Sequence, residues 1–350
     1  MSSLLDRVKR YLRNHISSGK LAVGTALPAP EVLAGRMKCS PGTVRKACID
    51  LANEGMLKRI KRRGTVVARK PRKGRVCVLL AHDSHTNELL ENELYRALLR
   101  AQYDVDLVPT SLGVEFFDNH CRRLLAAADP VDCLIALEPV AEMLPAIENL
   151  AERFSRKVLF HFNNHPILPH THLVTLDHRQ AAREVVEHLL KLGHRRIAVN
   201  TDQETDNNKT WSAESGAHCK DLIEIAGGTY YPFFFAHDIE RLGRLFKRER
   251  VTAYWAMHDY DAVKTVNFCN EQGLRVPRDI SIVGRYDTPW SRDCRPQLTT
   301  VSINPQRIAA ALVEALGRPP AETPNSSQPI VIKVAPVLIV RASTRAVQCR

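Results

Sequence analysis

Cys39-Ser40-Pro41-Gly42-Thr43-Val44-Arg45-Lys46-Ala47-Cys48-Ile49-Asp50-Leu51 is the stretch on which the reading of this 350-residue chain turns. Ser40 is placed to cap a helix, because its hydroxyl accepts from a first-turn N–H that otherwise lacks a partner. Pro41 at the first helical position costs no hydrogen bond. Val44, Ala47, Cys48 and Leu51 then form one buried stripe and leave Thr43, Arg45 and Lys46 facing outward. Upstream, Leu4, Leu5, Val8, Leu12 and Ile16 fall at helical spacing and predict an amphipathic helix ending near Gly19. The turn GTALPAP (24–30) follows, then a short helix over Glu31 to Met37. Two short helices, a tight turn and a helix that starts with polar and basic residues make a helix-turn-helix. Such a helix presents its N-terminal residues to base edges in the major groove of DNA.

Beyond Gly55 the pattern changes to strands. Met56–Ile60 runs out, Lys61-Arg62-Arg63-Gly64 turns, and Thr65–Ala68 returns, so a hairpin with a basic tip is expected. Arginines at such a tip gain from the negative potential of a narrow minor groove. The charge agrees. Residues 1–75 hold 19 Lys/Arg against 4 Asp/Glu, whereas residues 76–350 hold 31 against 34. The whole excess of the +12 chain therefore sits on one small module, as a polyanion-binding unit requires. The bland alternative is a basic solvated surface, or a targeting run at Lys58–Arg63. The agreement of cap, stripe, hairpin and charge favours DNA. Arg69, Lys70, Arg72, Lys73 and Arg75, with Pro71 and Gly74, read as a solvated linker over 69–75 that adds non-specific phosphate attraction.

The segments SSGKLAVGTALPA (17–29), CSPGTVRKACIDLANEGML (39–57) and RRGTVVA (62–68) resemble the winged-helix head of the gluconate-repressor (GntR) family over about residues 4–68. The resemblance implies DNA contacts at Ser40, Thr43, Arg45, Arg63 and Gly64; Lys46 and Arg62 join them as exposed cations of the same helix and tip. One position departs. In Leu27-Pro28-Ala29-Pro30-Glu31, Glu31 stands where the family commonly has a DNA-touching Arg.

From residue 76 short apolar runs alternate with helical patterns. Strands are expected at Val76–Leu80, Val105–Pro109, Cys133–Leu137, Val158–Phe160, Leu173–Leu176, Ile197–Asn200, Tyr230–Phe235, Ala253–Ala256 and Ile280–Val283. Helices are expected at Glu88–Gln102 and Gln180–Leu192. This alternation predicts an α/β body of parallel sheets covered by helices, and its length over 76–345 fits two doubly wound lobes. Ligands of such sheets bind just outside the carboxyl ends of the strands. Those positions are His82-Asp83-Ser84, Glu138, His161-Phe162-Asn163, Asn200-Thr201-Asp202, His258-Asp259 and Tyr286-Asp287, a set suited to a polar small molecule. Asp83 and Asp259 fit equally well as helix N-caps.

LVTLDHRQAAREVVEHLLKLGHRRIAV (173–199), VTAYWAMHDYDAVKTVNFCNEQGLRVPRDISIVGRYDTP (251–289), RPQLTTVSINP (295–305) and LIVRAST (338–344) resemble the sensor domain of the lactose-repressor (LacI/GalR) family. That domain shares its fold with periplasmic sugar-binding proteins. A GntR-type head on this body is the arrangement of arabinose-repressor-type regulators. The resemblance implies an effector crevice between lobes, with Asp83, His161, Asp177, Asp259, Tyr286 and Asp287 as candidate contacts, and a homodimer. Several family sugar contacts are altered. Ala213 holds the place of an Arg three residues before Gly216, Tyr286 that of a carboxylate, His258 that of an Asn, and His161-Phe162-Asn163 that of an Asp. An unusual ligand is therefore expected, or none.

His161, His165, His170 and His172 lack the spacing of a known zinc motif, so no metal and no cofactor is expected. Trp211 and Trp255 fit core and pocket equally, and Pro319–Pro329 reads as a loop. The nine cysteines form no C-x-x-C pair and read as reduced thiols. The N-terminus has no apolar signal core and no run approaches ~18 apolar residues, so a cytoplasmic protein is expected. The chain has no G-x-G-x-x-G, P-loop or G-x-S-x-G. The expected function is a DNA-binding transcription regulator, a repressor under a sugar-like effector. The alternatives are a ligand-independent DNA-binding dimer with a degenerate pocket, and a DNA-tethered enzyme.

Overall fold

Val8, Leu12 and Ile16 on one helix meet Val44, Ala47 and Leu51 on another, and all six are essentially solvent-free in the computed structural model. The structure describes residues 4–68, 74–80, 85–109, 132–139, 154, 156–162, 171–201, 211–233, 239–318 and 329–347, with single positions at 119 and 147. The chain divides into two units, residues 1–74 with 99–104, and the remainder.

The head is built from α1 (Leu4–Ser17), α2 (Pro30–Met37), α3 (Pro41–Asn53) and a hairpin of β1 (Leu57–Ile60) and β2 (Gly64–Val67). These match the expected elements to within a residue or two, because each has its own local signal. Ser40 caps α3 as expected, its Oγ accepting from the Thr43 N–H at 3.1 Å. Leu33, Met56, Leu57 and Val67 complete the core from α2 and the hairpin. Truncating a buried leucine here to alanine costs about 2–5 kcal/mol. Lys9 and Arg13 of α1 reach Asp50 of α3 and Glu54 at its C-terminal cap, with Arg13 Nη2 2.6 Å from Glu54 Oε2. At the hairpin tip Gly64 has φ +78°, a left-handed conformation that glycine adopts without steric cost.

The body contains two six-stranded sheets. The first comprises β3 (Gly74–Leu80), β4 (Tyr103–Pro109), β5 (Cys133–Leu137), β6 (Arg156–Phe160), β7 (His172–Leu176) and β13 (Val331–Val334), in the order β4-β3-β5-β6-β7-β13. The second comprises β8 (Arg196–Asn200), β9 (Thr229–Phe233), β10 (Ala253–Trp255), β11 (Ser281–Arg285), β12 (Thr299–Ser302) and β14 (Val337–Ile339), in the order β9-β8-β10-β11-β12-β14. β14 runs antiparallel to β12, whereas the central pairs β3–β5, β5–β6, β6–β7, β8–β10 and β10–β11 are parallel. Among the described residues its helices are α4 (His85–Arg100), α5 (His178–Lys191), α6 (Trp211–Ile225), α7 (Ile239–Lys247), α8 (Asp259–Glu271), α9 (Pro289–Asp293) and α10 (Pro305–Leu316).

The expected α/β architecture is thus present, with three strands the hydrophobic pattern did not reveal: β12, β13 and β14. Buried strand triplets such as Leu134-Ile135-Ala136 and Ile282-Val283-Gly284 account for the near-continuous apolar runs that parallel strands require. The chain passes between lobes three times: at Asp177 before α5, at Asn304 before α10, and between β13 and β14. At the first crossing the Asp177 N–H donates to the Val334 carbonyl at 2.9 Å, tying it to the third.

Candidate functional site

On the head, Ser40, Arg45, Lys46, Arg62, Arg63 and Gly64 are exposed and Thr43 is half-buried. Helical geometry puts Ser40 and Thr43 on one ridge, joined hydroxyl to hydroxyl at 2.9 Å. Arg45 and Lys46 project from the first two turns, away from the Val44–Ala47–Leu51 stripe. Arg45 Nη2 lies 2.7 Å from Glu31 Oε1 of α2. The sheet register pairs Ile60 with Gly64, so residues 61–63 form the tip and carry three cations in a row. Helix N-terminus and basic tip together offer donors and positive charge of the kind that read base edges and hold phosphates.

In the body, both strand orders reverse direction beside their first strand, between β3 and β5 and between β8 and β10. Sheets of this order bind ligands at those switch points. Asp83, at the end of β3, lies outside the described residues, as do Ser84, Asn163, Asp202, His165 and His170. Glu138, at the end of β5, has φ +41° and is turned inward, where its Oε1 accepts from the Phe162 N–H. Burial pushes its carboxyl up to about 8, against the Phe162 N–H that lowers it. His178 at the start of α5 holds the Phe162 carbonyl through Nε2 at 2.7 Å. Phe162 is thus clamped at both backbone ends. His161 is half-buried, and its backbone N–H donates to Val174. Burial and the nearby Arg285 charge drive His178 down to about 3.

Phe162 faces Tyr286 of the second lobe, ring centroids 5.6 Å apart, and Tyr286 stacks on His258 at 5.2 Å. Tyr286 has φ +96° and is only 6% exposed. For a bulky residue this backbone is strained by roughly 1–3 kcal/mol. It is held by the Tyr286 N–H bond to Val301 at 2.6 Å. Three rings from two lobes therefore make one aromatic wall, flanked by the half-buried Glu138.

The other candidate carboxylates are engaged within the protein. Asp259 is 1% exposed. Its Oδ2 accepts from the N–H and hydroxyl of Thr288, at 2.7 and 2.9 Å, and its Oδ1 from the Thr300 hydroxyl at 2.6 Å. It is the first residue of α8, with His258 as the cap residue, so it is neither a solvent-facing group nor the N-cap of its own helix. Asp287 pairs with Arg341 at 2.5 Å and Arg292 at 2.7 Å; burial opposes its charge, but the two guanidinium groups hold its pKa below the ordinary value. Asp177 caps α5 through Gln180 N–H at 2.9 Å. Trp255 is core, with the buried Arg285 guanidinium 4.4 Å above its ring. Ala213 lies in the first turn of α6. His172 accepts from the Ile330 N–H at 3.2 Å, and among the described residues no group of three His, Cys, Asp or Glu is arranged to hold a metal. Glu138, Phe162 and His258 all stand at strand ends, which is the signal by which sequence can find them.

Two family models match the chain. Residues 4–67 match bacterial regulatory proteins of the gntR family, and residues 186–344 match a periplasmic binding protein-like domain. Catabolite control protein A of Priestia megaterium is 31% identical over 138 residues, 37% of this chain and 40% of that protein, so the match spans well under two thirds of its length. The arabinose metabolism transcriptional repressor of Geobacillus stearothermophilus is 24% identical over 97% of both chains. The crystal structure of a LacI transcriptional regulator from a Rhodococcus species superposes with a TM-score of 0.61 at 22% identity, covering 77% of this chain and 98% of that one, a likeness of fold.

Proposed function

With a gntR-family head and a periplasmic-binding-protein-like body carried in one chain, we propose that the protein is a transcription regulator that binds operator DNA and answers to a small polar effector held between the lobes. One observation carries the reading. A Ser40-capped helix exposes Arg45 and Lys46 beside an arginine-tipped hairpin, on a module that together with the linker to residue 75 holds all the chain's excess positive charge. Ser40, Thr43, Arg45 and Lys46 address the major groove, and Arg62, Arg63 and Gly64 the backbone or minor groove. The near full-length match to an arabinose metabolism repressor supports repression as the mode. Helix-turn-helix proteins double their contacts by two-fold symmetry, so we assign a homodimer on a near-palindromic site in the cytoplasm. Among the described residues no helix is long and apolar enough to cross a membrane.

In the crevice, Tyr286, His258 and Phe162 supply flat apolar faces and the half-buried Glu138 a polar edge; His161, and Asp83 outside the described residues, complete the candidate contacts. Asp177, Asp259 and Asp287 serve as framework in this reading. An effector touching both lobes shifts the closed population by its differential affinity alone. That shift alters operator affinity by the same coupling free energy. A second reading is favoured by the near-complete burial of Tyr286: its ring occupies the crevice and the protein binds DNA without an effector. Thermal-shift screening of the full chain against sugars, sugar acids and nucleosides, followed by operator binding with each hit, separates the two. A hit that changes operator affinity supports the first reading; hits without that effect, or no hits, support the second.

A further inference from the structure

The head has four acidic residues, Asp6, Glu31, Asp50 and Glu54. Asp50 and Glu54 are accounted for by the pairs that tie α1 to α3. Glu31 is different. It projects from the first turn of α2 on the exposed side of the head and meets Arg45 of α3, Oε1 to Nη2 2.7 Å. The side chains remain 58% and 62% exposed, and a pair this open contributes little to stability. A carboxylate on a surface meant to face phosphates is a cost to every DNA complex. Its placement therefore calls for a reason other than folding.

From this pair we infer that Glu31 is a specificity-determining residue, which orients the Arg45 guanidinium for one base and penalises DNA on which Arg45 finds no such base. A guanidinium carries five N–H donors in a rigid fork. Donation from one Nη to Glu31 leaves the remaining edge for a two-pronged contact with the O6 and N7 of guanine. The carboxylate limits the swing of a long side chain, so less freedom is lost on docking. On a non-cognate duplex, Arg45 turns toward a phosphate and leaves Glu31 facing negative charge alone. Non-specific binding is electrostatic, so that repulsion falls most heavily there. The inference rests on the DNA-binding reading above and adds to it a residue that no phosphate-contact account requires.

The test uses the full-length protein with a random-sequence duplex pool, then the enriched duplex and a scrambled duplex of equal length at several salt concentrations. Glu31→Gln keeps an oxygen for Arg45 but removes the charge. It is expected to tighten binding to the scrambled duplex severalfold while changing the enriched duplex little. Glu31→Ala is expected to lower the enriched-to-scrambled ratio by about tenfold, with relaxed preference at a single base pair per half-site. In an Arg45→Ala background, Glu31→Ala is expected to leave base preference unchanged, because its effect passes through Arg45. Ratios and preferences unaltered in both Glu31 variants overturn the inference, as does an undiminished effect of Glu31→Ala when Arg45 is absent. A wild-type protein that enriches no sequence overturns the DNA-binding reading itself, and the inference with it.

Discussion

The Oδ1 of Asp259 lies 2.2 Å from where a Cβ on Gly284 would stand, so the strand that leads to Tyr286 passes the buried carboxylate with no room for a side chain. Asp259 cannot retreat, because three donors from Thr288 and Thr300 hold it. Gly284→Ala is expected to destabilise the body by more than about 2 kcal/mol, since overpacking a fixed polar group forces backbone movement. Asp259→Ala is expected to lose about 2–4 kcal/mol by leaving those donors buried without an acceptor. Urea unfolding of both variants checks this. A near-neutral Gly284→Ala would mean that the carboxylate is free to move.

His194 is 3% exposed and held by Thr252, Ser281 and the Arg345 carbonyl at 2.9–3.1 Å. Burial lowers its pKa from 6.5 to about 4. The unfolded chain therefore binds the extra proton first. The stability His194 contributes is fully present above pH 6.5 and is lost as pH falls toward 4. Between pH 7 and 5 the loss amounts to about 2 kcal/mol. A His194→Gln variant should be less stable at pH 7 and should lose correspondingly less on acidification. Denaturant midpoints of both proteins at the two pH values decide it; equal losses would show that His194 does not titrate as described.

The rings of Phe162, Tyr286 and His258 favour a ligand with a flat face. Calorimetry of the full chain should show a nucleoside or other ring-bearing compound bound more tightly than any simple hexose. Tyr286→Ala should abolish that order of preference. Tight binding of an ordinary hexose by the wild type contradicts the assignment.

Much of this was legible in sequence, and the exceptions have physical causes. The head could be read almost residue by residue because its signals are local: a capping serine, a proline at the first helical position, a glycine at a tip. β13 and β14 were hidden in VIKVAPVLIV (331–340), which reads as one apolar run. Only tertiary pairing splits it, with Val331 to Val334 joining β7 in one lobe and Val337 to Ile339 joining β12 in the other. β12 was hidden by its polar residues. Thr299 and Thr300 are fully buried and bond to Arg341, Thr344 and Asp259, partners far away in the chain. Strand ends brought Phe162, His258 and Tyr286 together, but sequence does not say which way a strand-end carboxylate turns. Asp259 turns inward because Gly284, 25 residues later, makes space; Asp287 turns to Arg341.

Neutralising phosphates with the cations of residues 1–75 releases counterions, so log affinity for DNA should fall steeply and linearly with log salt. Arg45→Ala should weaken the preferred duplex by about 1–3 kcal/mol. Arg63→Ala should weaken all duplexes more evenly and flatten the salt slope. Fluorescence anisotropy across a salt series reads all three quantities. A flat wild-type slope would remove the electrostatic basis of the account.

The most direct test is to sequence the duplexes that the full-length protein retains from a random pool. The account predicts enrichment of one sequence repeated about a two-fold axis, its half-sites about 10 base pairs, or a multiple, apart, and a weaker enrichment that has lost its preference at one base pair per half-site when Arg45 is replaced by alanine. A pool that leaves the protein with its sequence composition unchanged would contradict the central claim that this chain reads DNA.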